Sequence, residues 1–396
     1  MKKKSKGKNS VRRRTAVPDC KHFTGYKPCF PDTNCMEKCV DPRPRGTKIL
    51  IINLEAMGNV LVTTTLLSAI KRKYPESTVY WITLGNAAPL LLYNQCIDKV
   101  FVWEPESWLV LQALQFDLVM NIDKSSHACA FMMSLNSRKK VGFGLKNDGA
   151  IIPLNKEAEY NYRLGLDDHA KFRVNQKSNS QLLTEAVGLR FHRDEYLLQL
   201  SDEELEFCHR YKQAILSNER PSGTHDSLMM VGFNTGCSLL YPNKKMTIDQ
   251  HVILIDEFSK REGIRLLLLG GPEDTARNAE IAHQVGSKVI NTPTTEGLRR
   301  GICYENVCDI VITGDSLGMH IAIALKKHVL VWFGVSCPQE VDLFGRGVKF
   351  ISDGLACSPC WKKECPYNLE CVQMVDLEGI VAEVDNYRRG ISRTGK

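Results

Sequence analysis

The alternation of short apolar runs with longer helical patterns limits the possible folds of this chain more than any other property. Residues 48–53 form an apolar run that leads through residues 54–58 into a helical pattern at residues 59–74. Strands that alternate with helices in this way indicate parallel sheets covered by helices on both faces. The predicted strands of the first half are residues 48–53, 79–83, 99–103, 118–122 and 140–143.

The same alternation starts again after residues 219–227, which carry Pro, Gly and Ser and indicate a linker. The predicted strands of this second half are residues 228–233, 265–269, 307–313 and 328–333, and its predicted helices are residues 249–262, 273–285, 318–325 and 377–388. We therefore expect two consecutive α/β lobes that face each other across a crevice. In such sheets ligands bind beyond the carboxyl ends of the strands.

The chain length of 396 residues suits two lobes of roughly 150 residues each with extensions. The predicted organisation is a basic disordered tail at 1–16, a cysteine-rich segment with a linker at 17–46, a first Rossmann-like lobe at 47–220, a second at 221–375, and a C-terminal helix and tail at 376–396.

The positive charge of the chain is concentrated in its first 14 residues, which hold eight lysines and arginines and no acid. Because the net charge of the whole chain is +7, the rest is close to neutral. We interpret the tail as a solvated arm, with peripheral contact at the inner face of the inner membrane as its functional alternative. The near-neutral body argues against nucleic acid as a partner. Since no apolar window of about 18 residues and no signal-peptide core are present, we expect a cytoplasmic protein.

Two polar segments follow predicted strands of the second half. The first contains Asn234, Thr235 and, further along, Lys244; amide, hydroxyl and ammonium groups are suitable for holding a diphosphate, although a plain polar loop has the same composition. The second contains Gly271, Glu273 and Asp274. A glycine allows close approach of the backbone to a ligand, and a carboxylate beyond it can accept hydrogen bonds from ribose hydroxyls. The alternative for this second segment is an ordinary turn whose acids complement a helix dipole.

The sharpest motif is Thr-Gly-Asp-Ser-Leu-Gly-Met-His, which places Asp315, Ser316, Gly318, Met319 and His320 at a predicted strand end and helix start. The unpaired N–H groups at a helix N-terminus form a natural site for a pyrophosphate. His320, in the first turn, can hydrogen-bond to or charge-pair with the same phosphates. A histidine at this position can also have a purely structural role.

Several separate signatures together resemble glycosyltransferase family 9, the family of ADP-heptose:lipopolysaccharide heptosyltransferases. They are the opening at residues 49–59, the Asn-Thr-Gly with downstream Lys244, the Gly-Gly-Pro-Glu turn and the Asp315–His320 motif, in this order. The resemblance covers roughly residues 48–375. It implies a GT-B fold, with two facing Rossmann-like lobes, the donor in the second lobe and the acceptor on the first.

The resemblance also implies a chemistry. The expected reaction is inverting transfer of heptose from ADP-heptose to the lipopolysaccharide inner core or a related glycan, without a divalent metal for the transfer. Lys244 and the helix start at 315–320 would hold the diphosphate, and Glu273 or Asp274 the ribose. Two alternatives remain open: heptosylation of a protein such as an autotransporter, and a protein that binds the sugar nucleotide without catalysis.

The catalytic base is the point at which this chain departs from the family. Inverting transfer needs a base that takes the proton of the acceptor hydroxyl. The family pattern has an aspartate after the glycine of the first loop, and this chain has Asn59 there, whose amide cannot accept the proton. Asp123, after the fourth predicted strand, is the preferred substitute; Glu55, in the first loop, is the second candidate. Asp123 has the alternative of capping the helix that follows it.

Eight of the 15 cysteines form two clusters, which in a reducing compartment indicate metal before disulfides. The C-terminal cluster is Cys357, Cys360, Cys365 and Cys371, and the N-terminal cluster is Cys20, Cys29, Cys35 and Cys39. Four sulfur ligands favour zinc or iron. We expect a metal knuckle at the C-terminal cluster. The N-terminal cysteines have looser spacing, so they are a weaker candidate for a metal site. In both cases we expect a structural role for the metal.

Overall fold

The computed structural model describes residues 17–37, 39–217, 228–352 and 354–394. The predicted basic tail at 1–16 and the predicted linker at 219–227 lie outside the described residues. Two mostly parallel sheets with helices on their faces confirm the predicted α/β class.

Within the described residues, six strands form the sheet of the first lobe. They are β1 (Thr47–Ile52), β2 (Ser77–Thr83), β3 (Lys99–Val102), β4 (Gln115–Asn121), β5 (Asn136–Leu145) and β6 (Ile151–Pro153). Their order across the sheet is β3-β2-β1-β4-β5-β6, and all pair in parallel except β6, which runs antiparallel to β5. The last four residues of β1 are apolar and buried, as a strand covered on both faces requires.

Six parallel strands form the sheet of the second lobe in the part of the chain that the structure describes. They are β7 (Met229–Asn234), β8 (Ile264–Leu269), β9 (Ile290–Asn291), β10 (Ile310–Gly314), β11 (His328–Phe333) and β12 (Gly347–Ile351). Their order is β12-β11-β10-β7-β8-β9. The chain passes from β7 outward to β9 and then returns to β10 on the other side of β7. This reversal opens a crevice beside the ends of β7 and β10, which is where doubly wound sheets bind ligands.

The helices pack on the faces of these sheets. They are α1 (Met57–Thr63), α2 (Thr65–Lys73), α3 (Pro105–Ala113), α4 (Ser126–Ser134), α5 (Glu159–Leu164), α6 (Asn179–Ala186), α7 (Asp202–Ser217), α8 (Ile248–Ser259), α9 (Thr275–Val285), α10 (Leu298–Val307), α11 (Leu317–Ala324), α12 (Glu370–Gln373) and α13 (Leu377–Thr394). The sequence motif Thr-x-x-Gln starts α8, where Thr247 and Gln250 form a reciprocal capping box.

The first predicted helix, residues 59–74, is two helices in the structure. α1 begins at Met57, and a break at Thr64 separates it from α2. The Thr64 hydroxyl donates to the Leu61 carbonyl at 2.6 Å and accepts from the Leu197 N–H at 2.8 Å. The Thr64 hydroxyl therefore makes a tertiary contact at the break between the two helices. The apolar periodicity of the segment does not indicate this break.

The sequence prediction of a strand at residues 307–313 was wrong at its start, because Val307 ends α10, and β10 begins at Ile310. The sequence analysis did not predict α10 at all. A turn with Gly297 at φ 87° precedes this helix, and Gly301 lies inside it. Glycine lowers helix propensity, so tertiary packing rather than local preference stabilises α10.

Helix α7, which a boundary at residue 220 would assign to the first lobe, packs against α10 of the second. Phe207 and Tyr211 contact the ring of Tyr304, and Glu204 pairs with Arg299. In the same way α13 is part of the second lobe, because its Ile380 and Val384 are buried in that lobe's core.

The two lobes contact each other through an apolar interface, and one core cluster contains residues from both sheets. Helix α1 of the first lobe lies against α11 of the second. The N-terminal cysteine-rich segment adds to the first lobe through an ion pair between Lys21 Nζ and Asp98 Oδ1 at 2.6 Å. Among the helices that the structure describes, none combines the length and apolarity needed to cross a bilayer.

Candidate functional site

The start of α11 lies at the crevice between the lobes, after β10 ends at Gly314. Ser316 is the N-cap residue of α11, but its side chain does not cap the helix. Instead its hydroxyl accepts a hydrogen bond from Asn234 Nδ2 at 2.6 Å. Gly318 leaves room for the same amide, since a Cβ at that position would lie 2.5 Å from Asn234 Cγ. The first N–H groups of α11 therefore have no side-chain cap, as an anion site requires.

Lys244 and Asp315 form an ion pair at this helix start, with Lys244 Nζ 2.7 Å from Asp315 Oδ2. Both side chains are nearly buried, with exposures of 11% and 13%. Burial alone would raise the pKa of Asp315, but the Lys244 ammonium holds that pKa below its ordinary value. The structure thus brings together Asn234, Ser316, Asp315 and Lys244, all predicted from the sequence.

The His320 imidazole is neutral near pH 7, because burial lowers its pKa to about 4. The nearby Asp315 carboxylate opposes this lowering of the pKa, and the Lys244 ammonium adds to it. Its Nδ1 atom is buried and has no hydrogen-bond partner within the described chain. His320 can therefore hydrogen-bond to a phosphate, but the predicted alternative of charge pairing would first require protonation in this site.

Three other predicted side chains face the protein interior. The Thr235 hydroxyl is fully buried and donates to Asn278 Oδ1 at 2.5 Å. Asp274 is buried, and its carboxylate accepts the Gly271 N–H at 3.0 Å. Met319 packs in the apolar core. These buried side chains support the site from the protein interior. Of these three residues, the backbone groups are the ones available to a ligand. Glu273, by contrast, is exposed and is the carboxylate available to a ribose.

The Asp123 carboxylate binds the loop between β1 and α1, which we call the first loop. Its Oδ2 accepts the N–H groups of Leu54 at 3.0 Å and Glu55 at 3.3 Å, and its Oδ1 accepts that of Ser125 at 2.8 Å. With 6% of its surface exposed and both oxygens hydrogen-bonded, Asp123 has the geometry of a positioning residue. This arrangement argues against the preference for Asp123 as the base. The predicted alternative of a helix cap is not observed either, because Ser125 is the N-cap residue of α4 and Asp123 binds the loop between β1 and α1 instead.

Glu55 is exposed in the loop between β1 and α1, and α1 contacts α11 across the crevice. The neighbouring Asn59 is also exposed, with its Oδ1 3.4 Å from Asn179 Nδ2. Of the two carboxylates proposed from the sequence, the structure leaves only Glu55 free to meet an acceptor hydroxyl.

The first lobe has an open groove of about 490 Å³ between α3 and α4. Trp103, Trp108 and His127 line it, and the His127 ring lies 3.4 Å from the hydroxyl of Ser125, beside the Asp123 loop. The sequence analysis missed this groove, since it depends on two helices meeting in space.

The cysteines at 357, 360, 365 and 371 all line one cavity of about 20 Å³. We call residues 356–371 the cysteine loop. Burial raises the pKa of Cys371, and so do the neighbouring thiols at 360, 365 and 357. In the described part of the chain no three Cys, His, Asp or Glu side chains are arranged as a metal-ligand set, and of the N-terminal cysteines only Cys20 is buried. The predicted metal knuckle is therefore not confirmed.

Comparison with known proteins identifies the class: the chain is a glycosyltransferase. The model of glycosyltransferase family 9 (heptosyltransferase) matches residues 108–370, which include the start of α11, Lys244 and most of the cysteine loop. Because this match covers more than half of the chain, the protein belongs to glycosyltransferase family 9, and the resemblance seen in the sequence is confirmed.

Individual relatives agree with this assignment. Lipooligosaccharide heptosyltransferase 2 of Haemophilus influenzae is 22% identical over 316 residues, which are 74% of this chain and 84% of the relative. A family 9 glycosyltransferase from Veillonella parvula has the same fold, with a TM-score of 0.68 at 16% identity over 87% of this chain and 98% of its own. So has TibC from enterotoxigenic E. coli, an iron-containing dodecameric glycosyltransferase, with a TM-score of 0.52 at 12% identity over 87% and 77%.

Proposed function

We propose that this enzyme transfers heptose from ADP-heptose to the lipopolysaccharide inner core or a related glycan. The observation that carries the proposal is the uncapped start of α11 beside the nearly buried Lys244. Backbone N–H groups and an ammonium at the same helix start can stabilise the charge of a departing diphosphate. The Haemophilus relative is named a heptosyltransferase, and TibC has been crystallised with ADP-D-beta-D-heptose, which supports this donor.

The roles of the residues follow from their positions. Lys244 and the N–H groups of α11 bind the diphosphate, with His320 as a neutral hydrogen-bonding group. Glu273 binds the ribose. Glu55 takes the proton of the acceptor hydroxyl as the bond to the sugar forms, and Asp123 holds the loop that carries Glu55. No metal ion takes part in this transfer.

The acceptor lies on the first lobe, where the groove between α3 and α4 opens beside the Asp123 loop. Its lining combines the aromatic rings of Trp103 and Trp108 with the polar side chains of Gln112, His127 and Ser134, which suits a glycan with apolar and polar faces. A protein acceptor is the alternative. Mass spectrometry of products from ADP-heptose with a heptose-deficient lipopolysaccharide core, and separately with an autotransporter passenger, distinguishes the two.

The exposed Asn59 supports a second candidate function, because it stands where the family has its aspartate base. In this alternative the protein binds a sugar nucleotide without transferring the sugar. Acceptor-dependent release of ADP is the discriminating measurement. Release that rises with the acceptor concentration supports the enzyme, and tight binding without release supports the alternative.

Calorimetry with ADP tests the diphosphate site itself. Lys244→Ala should weaken binding by roughly 10- to 100-fold, the range for hydrogen bonds to charged groups. Lys245→Ala removes the same charge one residue further along and serves as the matched control. Equal affinity of the Lys244→Ala variant and the unaltered protein would contradict the proposed site.

We also propose a structural zinc or iron ion at the cysteine loop. The four thiols around one cavity of about 20 Å³ have the chemistry and the space for a single ion, because one ion is smaller than the water molecule that such a cavity admits. An ion there would favour the thiolate forms and strengthen the fold of the loop. The N-terminal set, Cys20, Cys29, Cys35 and Cys39, remains a weaker candidate for a second ion.

A further inference from the structure

The ring of Trp361 in the cysteine loop lies against two lysines that belong to different lobes. Lys244 Nζ is 4.2 Å from the ring centroid, and Lys171 Nζ is 4.6 Å from it. Lys171 comes from the helical turn Ala170–Val174 of the first lobe. Because the face of an indole attracts ammonium groups, one ring contacts both the diphosphate lysine and the opposite lobe.

The backbone around Trp361 is held in a conformation that a bulky residue rarely adopts. Its φ of 51° lies in the left-handed region, which costs free energy for a tryptophan. The N–H groups of Cys360 and Trp361 both donate to the Val335 carbonyl at 3.0 Å, and the Ser358 hydroxyl donates to the Gly334 carbonyl at 2.7 Å. Contacts to the segment after β11 thus fix the position of the ring.

The segment that carries Lys244 is attached to the same loop. Asn243 Nδ2 donates to the Lys362 carbonyl at 3.2 Å. The Tyr241 ring meets the Trp361 ring edge-on, with centroids 5.3 Å apart. The cysteine loop therefore supports the donor segment through three successive contacts, at Tyr241, Asn243 and Lys244.

The first lobe also binds the cysteine loop, through hydrogen bonds to its backbone carbonyls. Arg173 donates from Nη1 to the Ser358 carbonyl and from Nη2 to the Ala356 carbonyl, both at 3.1 Å. Gln339 of the second lobe donates to the Lys171 carbonyl at 3.4 Å. Arg173 thus joins the turn Ala170–Val174 to the cysteine loop, and Gln339 joins the same turn to the segment after β11.

We infer that the cysteine loop is a clasp between the lobes and that Trp361, together with the Asp315 carboxylate, positions Lys244 for the diphosphate. Closure of the lobes brings Lys171 and Arg173 onto the loop, and the loop in turn holds the lysine at the start of α11. Donor affinity is thereby coupled to the contact between the lobes. The inference rests on the proposed role of Lys244 in binding the diphosphate.

The first test is a double-mutant cycle on the full-length protein, with calorimetry of ADP binding. Trp361→Leu should weaken binding by roughly 3- to 30-fold, and Trp361→Phe, which keeps an aromatic face, should retain most of the affinity. In the Lys244→Ala background the Trp361→Leu change should have little further effect, because the ring acts through the lysine. Full additivity of the two changes would overturn the positioning role.

The second test substitutes exposed residues of the first lobe, because the fold should tolerate a change at such positions. Arg173→Ala should weaken ADP binding by roughly 2- to 10-fold, the value of one or two hydrogen bonds, although Arg173 lies outside the donor site. Arg163→Ala is the matched control, since Arg163 is an exposed arginine that pairs with Asp167 of its own lobe at 3.4 Å.

The outcomes separate the two proposals. If Lys244→Ala weakens binding but Trp361→Leu and Arg173→Ala do not, the clasp is refuted and the diphosphate site stands. If Lys244→Ala itself has no effect, the diphosphate site fails and the clasp fails with it.

Discussion

His320 of the second lobe lies directly against Gly58 of the first, since a Cβ atom on Gly58 would be 2.8 Å from His320 Cδ2. The contact joins the starts of α1 and α11, the two helices that face each other at the crevice. It places the first loop, with Glu55, beside the proposed diphosphate site. The fit between the lobes therefore depends on the absence of a side chain at position 58.

Gly58→Ala should separate the starts of α1 and α11, because real Cβ atoms do not approach so closely. We expect kcat/KM for heptose transfer to fall by about 10-fold or more, since a small misplacement of reacting groups is costly. Gly301→Ala, in α10, is the control: a Cβ there meets nothing within 4 Å. Unchanged kcat/KM in Gly58→Ala would show that the lobes meet differently during the reaction.

Glu55→Gln and Asp123→Asn should separate the base from the residue that positions its loop. Glu55→Gln should lower kcat by about 100-fold or more and leave the melting temperature unchanged, because Glu55 is exposed. Asp123→Asn replaces one hydrogen-bonded oxygen with an amide, so it should cost about 1–3 kcal/mol of stability as well. The measurements are steady-state kinetics and thermal unfolding. A normal kcat for Glu55→Gln would remove it from the role of base.

Stability should fall in acid through His251. Burial lowers its pKa to about 4, against an ordinary value of 6.5. Between these values the unfolded chain binds a proton that the folded chain does not, so the free energy of unfolding decreases as the pH falls from 6.5 towards 4. The loss amounts to roughly 3 kcal/mol for this one residue.

Urea unfolding at several pH values measures this effect. His251→Gln should flatten the dependence of stability on pH in this window, and His283→Gln, at an exposed position of α9, should leave it unchanged. An identical pH dependence in His251→Gln and the unaltered protein would assign the acid sensitivity elsewhere, for example to His320.

Removal of a metal ion should loosen the cysteine loop. We expect about one zinc or iron ion per chain by elemental analysis, and its loss in Cys360→Ser. Chelation should lower the melting temperature and, through Trp361 and Lys244, the affinity for ADP. Cys96→Ser, outside both clusters, is the control. Folding that chelation leaves intact would argue against the structural ion.

Much of the architecture followed from local patterns. Buried parallel strands are continuous apolar runs, so β1, β7, β8 and β11 were predicted within a residue or two. The Asp315–His320 motif lay where predicted, because a strand end followed by short polar residues and an apolar helix leaves few alternatives. Short edge strands such as β6, and α10 with its internal glycine, carry weak local signals and were missed.

The sequence by itself determined the two α/β lobes, the family and the segments that meet at the crevice. Only the tertiary structure decided that the Asp123 carboxylate is occupied by three backbone N–H groups, that Thr235, Asp274 and Met319 point inward, and that Trp361 lies between Lys244 and Lys171. Periodicity specifies which face of an element is buried. It does not specify which distant segment covers that face, because that depends on packing between elements far apart in the chain.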